Sequence, residues 1–347
     1  MVEGSAPYPG QIMVREPTAQ VPRPLVDSYG RVHRDLRISV TDRCNFRCTY
    51  CMPEEGMTWL PKGEVLTFEE LERIARLMVE RHGVRSIRLT GGEPTVRAHL
   101  PVLVAKLAAL PVDLSLTTNG ATLRSVAPGL AEAGLRRVNV SLDSLRPERF
   151  AQLTRRDQLD DVLDGIDAAV EAGLTPVKVN VVVVRGVNDD EIVDLARFGR
   201  DVGVTVRFIE WMPLDGGDAW TTEQVVTQAE IVERIGAVFP LEAMDRGSEP
   251  AERFRYQDGG GEVGVIPSVT RPFCEQCDRI RLTADGQLRS CLFSLEDHDL
   301  RTVLRSGGTD DALSTAIEAC VGAKWAGHAI NQVQFVKPRR SMSQIGG

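Results

Sequence analysis

Four times along this chain a glycine stands between the end of a helical pattern and the start of a short β-branched run: Gly83, Gly134, Gly173 and Gly203. A residue just past a helix often takes a left-handed backbone, which glycine adopts at least cost. Strands alternating with helices in this way build a parallel sheet with right-handed crossovers. The expected strands are Leu36 to Val40, Ser86 to Thr90, Val112 to Thr117, Arg137 to Ser141, Val177 to Val184 and Val204 to Ile209. Six such units fall short of the eight that close a full barrel. The expected fold is therefore α/β, a partial open (β/α)6 TIM-type barrel with a small C-terminal β-rich and helical extension.

Between the first two strands, Thr67 and Glu70 form a capping-box signal, and Leu71, Ile74, Ala75 and Met78 then recur at helical spacing. The spacing predicts a helix that stops at Gly83. Residues 1–30 are rich in proline and lack the apolar run of a signal peptide, so they read as a flexible N-terminal arm. The core barrel is expected over 31–250 and a C-terminal domain over 251–347. In that last part Glu252 to Gln257 and Glu262 to Pro267 flank an Asp258-Gly259-Gly260-Gly261 turn, the pattern of a hairpin. A second hairpin around Ala284-Asp285-Gly286 puts Arg279 and Arg281 on one strand and Cys291 at the end of its partner. Ala312 to Lys324 reads as a helix, and a polar tail ends in Gly346-Gly347.

The formal net charge is -8, which argues against a general binder of nucleic acid or of membrane surfaces. No stretch reaches the 18 or so apolar residues of a membrane span. The expected compartment is the cytoplasm, where thiols stay reduced and bind metals more often than they pair.

Six of the seven cysteines form two triplets, Cys44-Cys48-Cys51 and Cys274-Cys277-Cys291. A structural zinc site usually closes with four protein ligands, whereas an iron-sulfur cubane held by three thiolates leaves one iron open. A zinc knuckle or three buried cysteines would suit the first triplet taken alone, and a zinc ribbon the second. The first triplet directly follows the first strand, at the end where barrels carry their chemistry. Arg279 and Arg281 lie beside the second, two apart on a strand and hence on one face, a pairing suited to phosphate. Arg37 and Arg88 interrupt strands that otherwise read as buried, where an unpaired charge is costly, so each calls for a ligand or an acidic partner. Cys320 reads as a small buried hydrophobe, and Trp59 and His82 carry no signal beyond packing or surface exposure.

Cys44-Asn45-Phe46-Arg47-Cys48-Thr49-Tyr50-Cys51 followed by Gly91-Gly92-Glu93-Pro94 resembles the radical S-adenosylmethionine superfamily. With the second triplet, Thr117-Thr118-Asn119-Gly120, Val140-Ser141-Leu142-Asp143, Arg207-Phe208-Ile209-Glu210-Trp211-Met212 and the terminal Gly346-Gly347, the chain from about Leu36 onward resembles the GTP 3',8-cyclase family of molybdenum cofactor biosynthesis. The resemblance implies two [4Fe-4S] clusters, on Cys44, Cys48 and Cys51 and on Cys274, Cys277 and Cys291. It implies S-adenosylmethionine contacts from Tyr50, Gly92, Glu93, Ser141 and Met212, with Glu93 engaging the ammonium. It implies GTP contacts from Arg37, Arg88, Thr117, Lys178, Arg279, Ile280 and Arg281, and a tail whose Gly346 and Gly347 enter the active site and assist catalysis. An external electron donor, a homodimer and a downstream cyclic pyranopterin monophosphate synthase follow from the same resemblance. Asp278 departs from the asparagine common at that position, which makes the second triplet's surroundings less cationic. Two further readings stand beside this one: another radical enzyme with an auxiliary cluster, and a non-catalytic metal-binding redox sensor.

Overall fold

The structure, a computed structural model, describes residues 22–214, 220–246, 249–330, 332 and 335–346. Of the N-terminal arm, residues 1–21 lie outside the described residues, and the rest corrects its boundary. Leu25–Val26 (β1) and Val32–His33 (β2) form a small antiparallel pair, and the Arg23 amide donates to the Arg81 carbonyl at 2.7 Å. Leu25 is buried, so the ordered chain starts before residue 31.

Six parallel strands follow in sequence order: β3 (Asp35–Ser39), β4 (Ser86–Thr90), β5 (Asp113–Thr118), β6 (Arg137–Ser141), β7 (Lys178–Val183) and β8 (Thr205–Glu210). Each lies within one residue of its expected bounds. Thr67 and Glu70 close a capping box on a helix over Phe68–Glu80, and Gly83 takes a positive φ of 71° just beyond it. The helices cover one face of the strands with Leu, Ile and Val side chains, while the other face lines the lumen.

After residue 240 the chain returns to the same sheet instead of folding apart. β9 (Leu241–Ala243), β10 (Glu252–Tyr256) and β11 (Glu262–Ile266) form an antiparallel run, and β11 then pairs parallel with β8. At the opposite edge β12 (Arg279–Leu282) pairs parallel with β3 and leads through the predicted turn into β13 (Gln287–Arg289) and β14 (His298–Asp299). Among the described residues the result is one twelve-stranded sheet whose eight middle strands are parallel, with β12 and β11 not joined to each other. The C-terminal hairpins thus extend both edges of the open barrel.

Glu210 fixes one of these junctions. Its fully buried carboxylate accepts from the amides of Gln228, Val269 and Thr270 and from the Thr270 hydroxyl, which ties the loop after β11 to the end of β8. The last predicted helix spans Asp310–Gly322 and buries Cys320 in the core, as expected. No helix among the described residues is long and apolar enough to cross a membrane.

Candidate active site

Alternation along the strands decides what enters the lumen, because successive side chains point to opposite faces. On β3, Leu36 and Ile38 pack toward the helices while Arg37 faces inward; on β4, Ile87 and Leu89 flank Arg88; on β8, Val206 and Phe208 flank Arg207; on β12, Ile280 and Leu282 alternate with Arg279 and Arg281. Register then places Arg281 opposite Arg37, and Arg37 opposite Arg88. Three guanidiniums therefore stand side by side on neighbouring strands, with Arg207 and Arg279 lining the same cavity. The Ile280 side chain belongs to the hydrophobic core, and Ile280 is not among the residues that line the cavity.

None of these five arginines pairs with a carboxylate among the described ion pairs. Arg88 donates to the Ser115 hydroxyl at 3.4 Å, and Arg207 to the side-chain oxygens of Asn180 at 3.0 Å and Asn139 at 2.6 Å. Arg279 stacks over the Phe273 ring at 4.3 Å, and the buried Arg37 Nε has no partner. Burial, and after it the Arg88 charge, pulls Arg37 down to about 9; burial also lowers Arg88 and Arg207 to about 10 each. A lumen in which cations depress one another stores affinity for a polyanion. Lys178 lies at the amino-terminal mouth, in an adjoining cavity of about 210 Å³ that shares Arg88, Arg207 and Arg279.

At the carboxyl end, the loop after β3 carries Cys44, Cys48 and Cys51 over the same lumen, with Tyr50, Gly92, Glu93, Thr117, Ser141 and Met212 among the lining residues. The glycine pair works by close approach. A Cβ on Gly92 would lie 2.6 Å from the Arg43 carbonyl carbon, and the Gly92 and Glu93 amides donate to the carbonyls of Thr41 and Arg43 at 2.8 and 2.7 Å. Missing side chains here admit the cysteine loop itself. Glu93 is fully engaged on one oxygen: Oε1 accepts from the Thr95 amide and from the hydroxyls of Thr95 and Thr118, while Oε2 accepts from the Asn119 amide. It clasps the loops after β4 and β5, leaving only Oε2 capacity for a cation. Tyr50 donates to the Asp143 carboxylate at 2.5 Å, and burial pushes Asp143 up to about 6.

Burial raises the Cys44 thiol to about 11 and Cys51 to about 12, and raises Cys48 as well. A desolvated trio of this kind becomes thiolate only when a metal supplies the compensating charge. Among the described residues no three Cys, His, Asp or Glu side chains converge on a single-ion centre. Three cysteines suit a cubane, in which each sulfur holds a different iron and one iron stays open, better than a zinc site closed by four protein ligands. The second trio sits at the other end of the lumen: Cys274 and Cys277 precede β12, whose first residue is level with Asp35 at the start of β3, and Cys291 follows β13. Their sulfurs do not line the upper cavity, but their neighbours Phe273, Arg279, Arg281 and Leu292 do. The arginine row thus lies between the two triplets.

The C-terminal tail enters this space. Met342 and Ser343 line the cavity with Cys51, the Ser343 hydroxyl donates to Met57 Sδ at 3.3 Å, and the Gly346 carbonyl accepts from Arg281. Gly347 lies outside the described residues. Arg207, Asn180, Asn139 and Asp143 were not singled out from sequence. For Arg207 the signal was available, a cation between two buried apolar residues of one strand.

Comparison with known proteins agrees with this geometry. The radical SAM superfamily model matches residues 38–199, and the molybdenum cofactor synthesis C model matches 204–330. A GTP 3',8-cyclase of Streptomyces coelicolor is 51% identical over 93% of this chain and 96% of its own length. One of Rhodopirellula baltica is 50% identical over 94% and 93%. The crystal structure of Streptococcus suis SuiB bound to S-adenosylmethionine superposes with a TM-score of 0.60 over 90% of this chain and 77% of its own, at 13% identity, which speaks for the fold alone. The chain belongs to the GTP 3',8-cyclase family of the radical S-adenosylmethionine superfamily.

Proposed function

We propose that this protein converts GTP to (8S)-3',8-cyclo-7,8-dihydroguanosine 5'-triphosphate, the first step of molybdenum cofactor biosynthesis, and that the arginine row between the two cysteine triplets is its triphosphate site. The observation that carries this reading is the unpaired register of Arg281, Arg37 and Arg88 facing Arg207 across one lumen. Guanidinium forks match phosphate oxygens in pairs, and a triphosphate would relieve their mutual repulsion.

The iron-sulfur cluster of Cys44, Cys48 and Cys51 together with S-adenosylmethionine supplies, when bound, the hydrogen-abstracting radical chemistry of the superfamily. Tyr50, Gly92, Ser141 and Met212 contribute the surrounding wall for that cofactor. Cys274, Cys277 and Cys291 would hold the second cluster, which would anchor the base end of the substrate. With the phosphates clamped by arginine and the base held at the second triplet, ribose C3' and guanine C8 are fixed relative to each other, and position rather than acid-base chemistry selects the bond that forms. The tail through Gly346 narrows the lumen above Arg281 and helps exclude water. An external electron donor, a homodimer, a cytoplasmic location and a downstream cyclic pyranopterin monophosphate synthase complete the proposal.

The test is anaerobic incubation of the reconstituted protein with GTP, S-adenosylmethionine and a strong reductant. The cyclised triphosphate should form with GTP-dependent release of 5'-deoxyadenosine. Release without any cyclised nucleotide would point to another radical enzyme, and two zincs per chain with no turnover to a redox sensor.

A further inference from the structure

Lys324 is buried at 4% exposure, although no carboxylate pairs with it among the described residues. Its ammonium reaches three acceptors: the Cys277 sulfur at 3.4 Å, the Arg279 carbonyl at 2.7 Å and His33 Nδ1 at 3.4 Å. Three N–H groups meet three acceptors, so the group is saturated. His33 is fully buried, and its Nε2 lies 3.0 Å from Asp27 Oδ2. The carboxylate accepts a hydrogen bond from Nε2–H, the tautomer in which Nδ1 is unprotonated and accepts from Lys324.

The segment bearing Asp27 and His33 grips the second triplet in other ways. Arg31, held by Asp27 at 2.6 Å, donates to the carbonyls of Cys274 and Ala326 at 2.7 Å each and of Trp325 at 2.5 Å. The Arg34 amide donates to the Asp278 carbonyl at 3.0 Å. Residues 23–34, of which 23–30 were expected to belong to the arm, are a clamp on the triplet.

We infer that Lys324, oriented by the His33–Asp27 pair, is a positioning residue that donates a charge-assisted hydrogen bond to the Cys277 ligand and thereby raises the electron affinity of the cluster held at the second triplet. The inference rests on the reading of that triplet as a cluster site. A buried ammonium needs an anion, and the nearest atom able to carry one is the Cys277 sulfur. Among the described hydrogen bonds no cationic side chain donates to a sulfur of the first triplet, where the Phe46 amide and the Asn119 side chain reach Cys44. Hydrogen bonds and positive charge at a ligating sulfur raise a cluster's reduction potential.

The experiment is an anaerobic redox titration of the reconstituted full chain, followed by electron paramagnetic resonance, comparing wild type with Lys324→Gln and Lys324→Arg. The Gln variant is expected to shift the second cluster's oxidised-to-reduced ratio at fixed potential by tenfold or more, about 59 mV for a one-electron couple. The first cluster should titrate as before, and the Arg variant should lie closer to wild type. If Lys324→Gln releases iron, selective loss from the second site in Gln but not in Arg supports the same role. An unchanged second-cluster potential, equal shifts of both clusters, or identical behaviour of the Gln and Arg variants would overturn it. Iron analysis separates this from failure of the cluster reading itself, since a chain binding no iron at Cys274, Cys277 and Cys291 in wild type would remove the premise.

Discussion

Replacing Gly346 by alanine should expel the tail from the lumen. Gly346 has φ 84° and ψ 107°, a conformation that costs a residue with a side chain about 1–3 kcal/mol. The added Cβ would sit 2.7 Å from Thr90 Cγ2 and closer still to Ser39 Oγ, and overpacking of this kind costs roughly 1–3 kcal/mol more. Against this stand the hydrogen bond from Arg281 to the Gly346 carbonyl, worth about 1.5–3 kcal/mol to a charged donor, and the buried Ile345 side chain, worth about 1.5–3 kcal/mol. The penalty and the docking energy are comparable, so even its lower end, about 2 kcal/mol, shifts the docked population roughly 30-fold. Hydrogen exchange read on residues 341–346 should show loss of protection, and cyclised GTP should fall by a similar factor while the rest of the fold keeps its protection. Unchanged exchange in the tail together with unchanged cyclisation would refute the steric reasoning.

Arg207→Ala should weaken GTP by roughly 10- to 150-fold, the value of one charged hydrogen-bonded contact, but guanosine far less; equal losses in calorimetric titration would remove Arg207 from the phosphate clamp. Cys274→Ser should abolish cyclisation while S-adenosylmethionine cleavage remains detectable, and product analysis with unaltered cyclisation would contradict the role given to the second triplet. Asp143 has its folded pKa raised from 3.8 to about 6, so the folded state binds the extra proton between those values. Stability from this group is therefore greatest below pH 4 and declines until pH 6, by up to about 3 kcal/mol. In cluster-free protein, Asp143→Asn should gain on wild type in denaturant midpoint as pH rises from 4 to 6, and a gap that stays flat across that window would refute the assignment.

What the sequence determined by itself is local and periodic. Strand positions followed from β-branched runs, helix ends from Gly83, Thr67 and Glu70, and the loop chemistry from Cys44 to Cys51 and Gly91 to Pro94, because each depends on residues close along the chain. The alternation of Leu36-Arg37-Ile38 already told which way Arg37 faces relative to its neighbours. Register and long-range closure were not legible. That Arg281 lies beside Arg37 depends on β12 returning to pair parallel with β3 across more than two hundred residues of chain, and that Glu93 clasps Asn119 depends on two loops meeting. Lys324 lies just past the end of a helix that reads as ordinary from its own sequence; only the tertiary fold brings it, with His33 and Asp27 from the far end of the chain, against the Cys277 sulfur. Local propensity acts through neighbours in sequence, whereas the cost of burying a charge is decided by whichever distant groups the packed fold delivers to it.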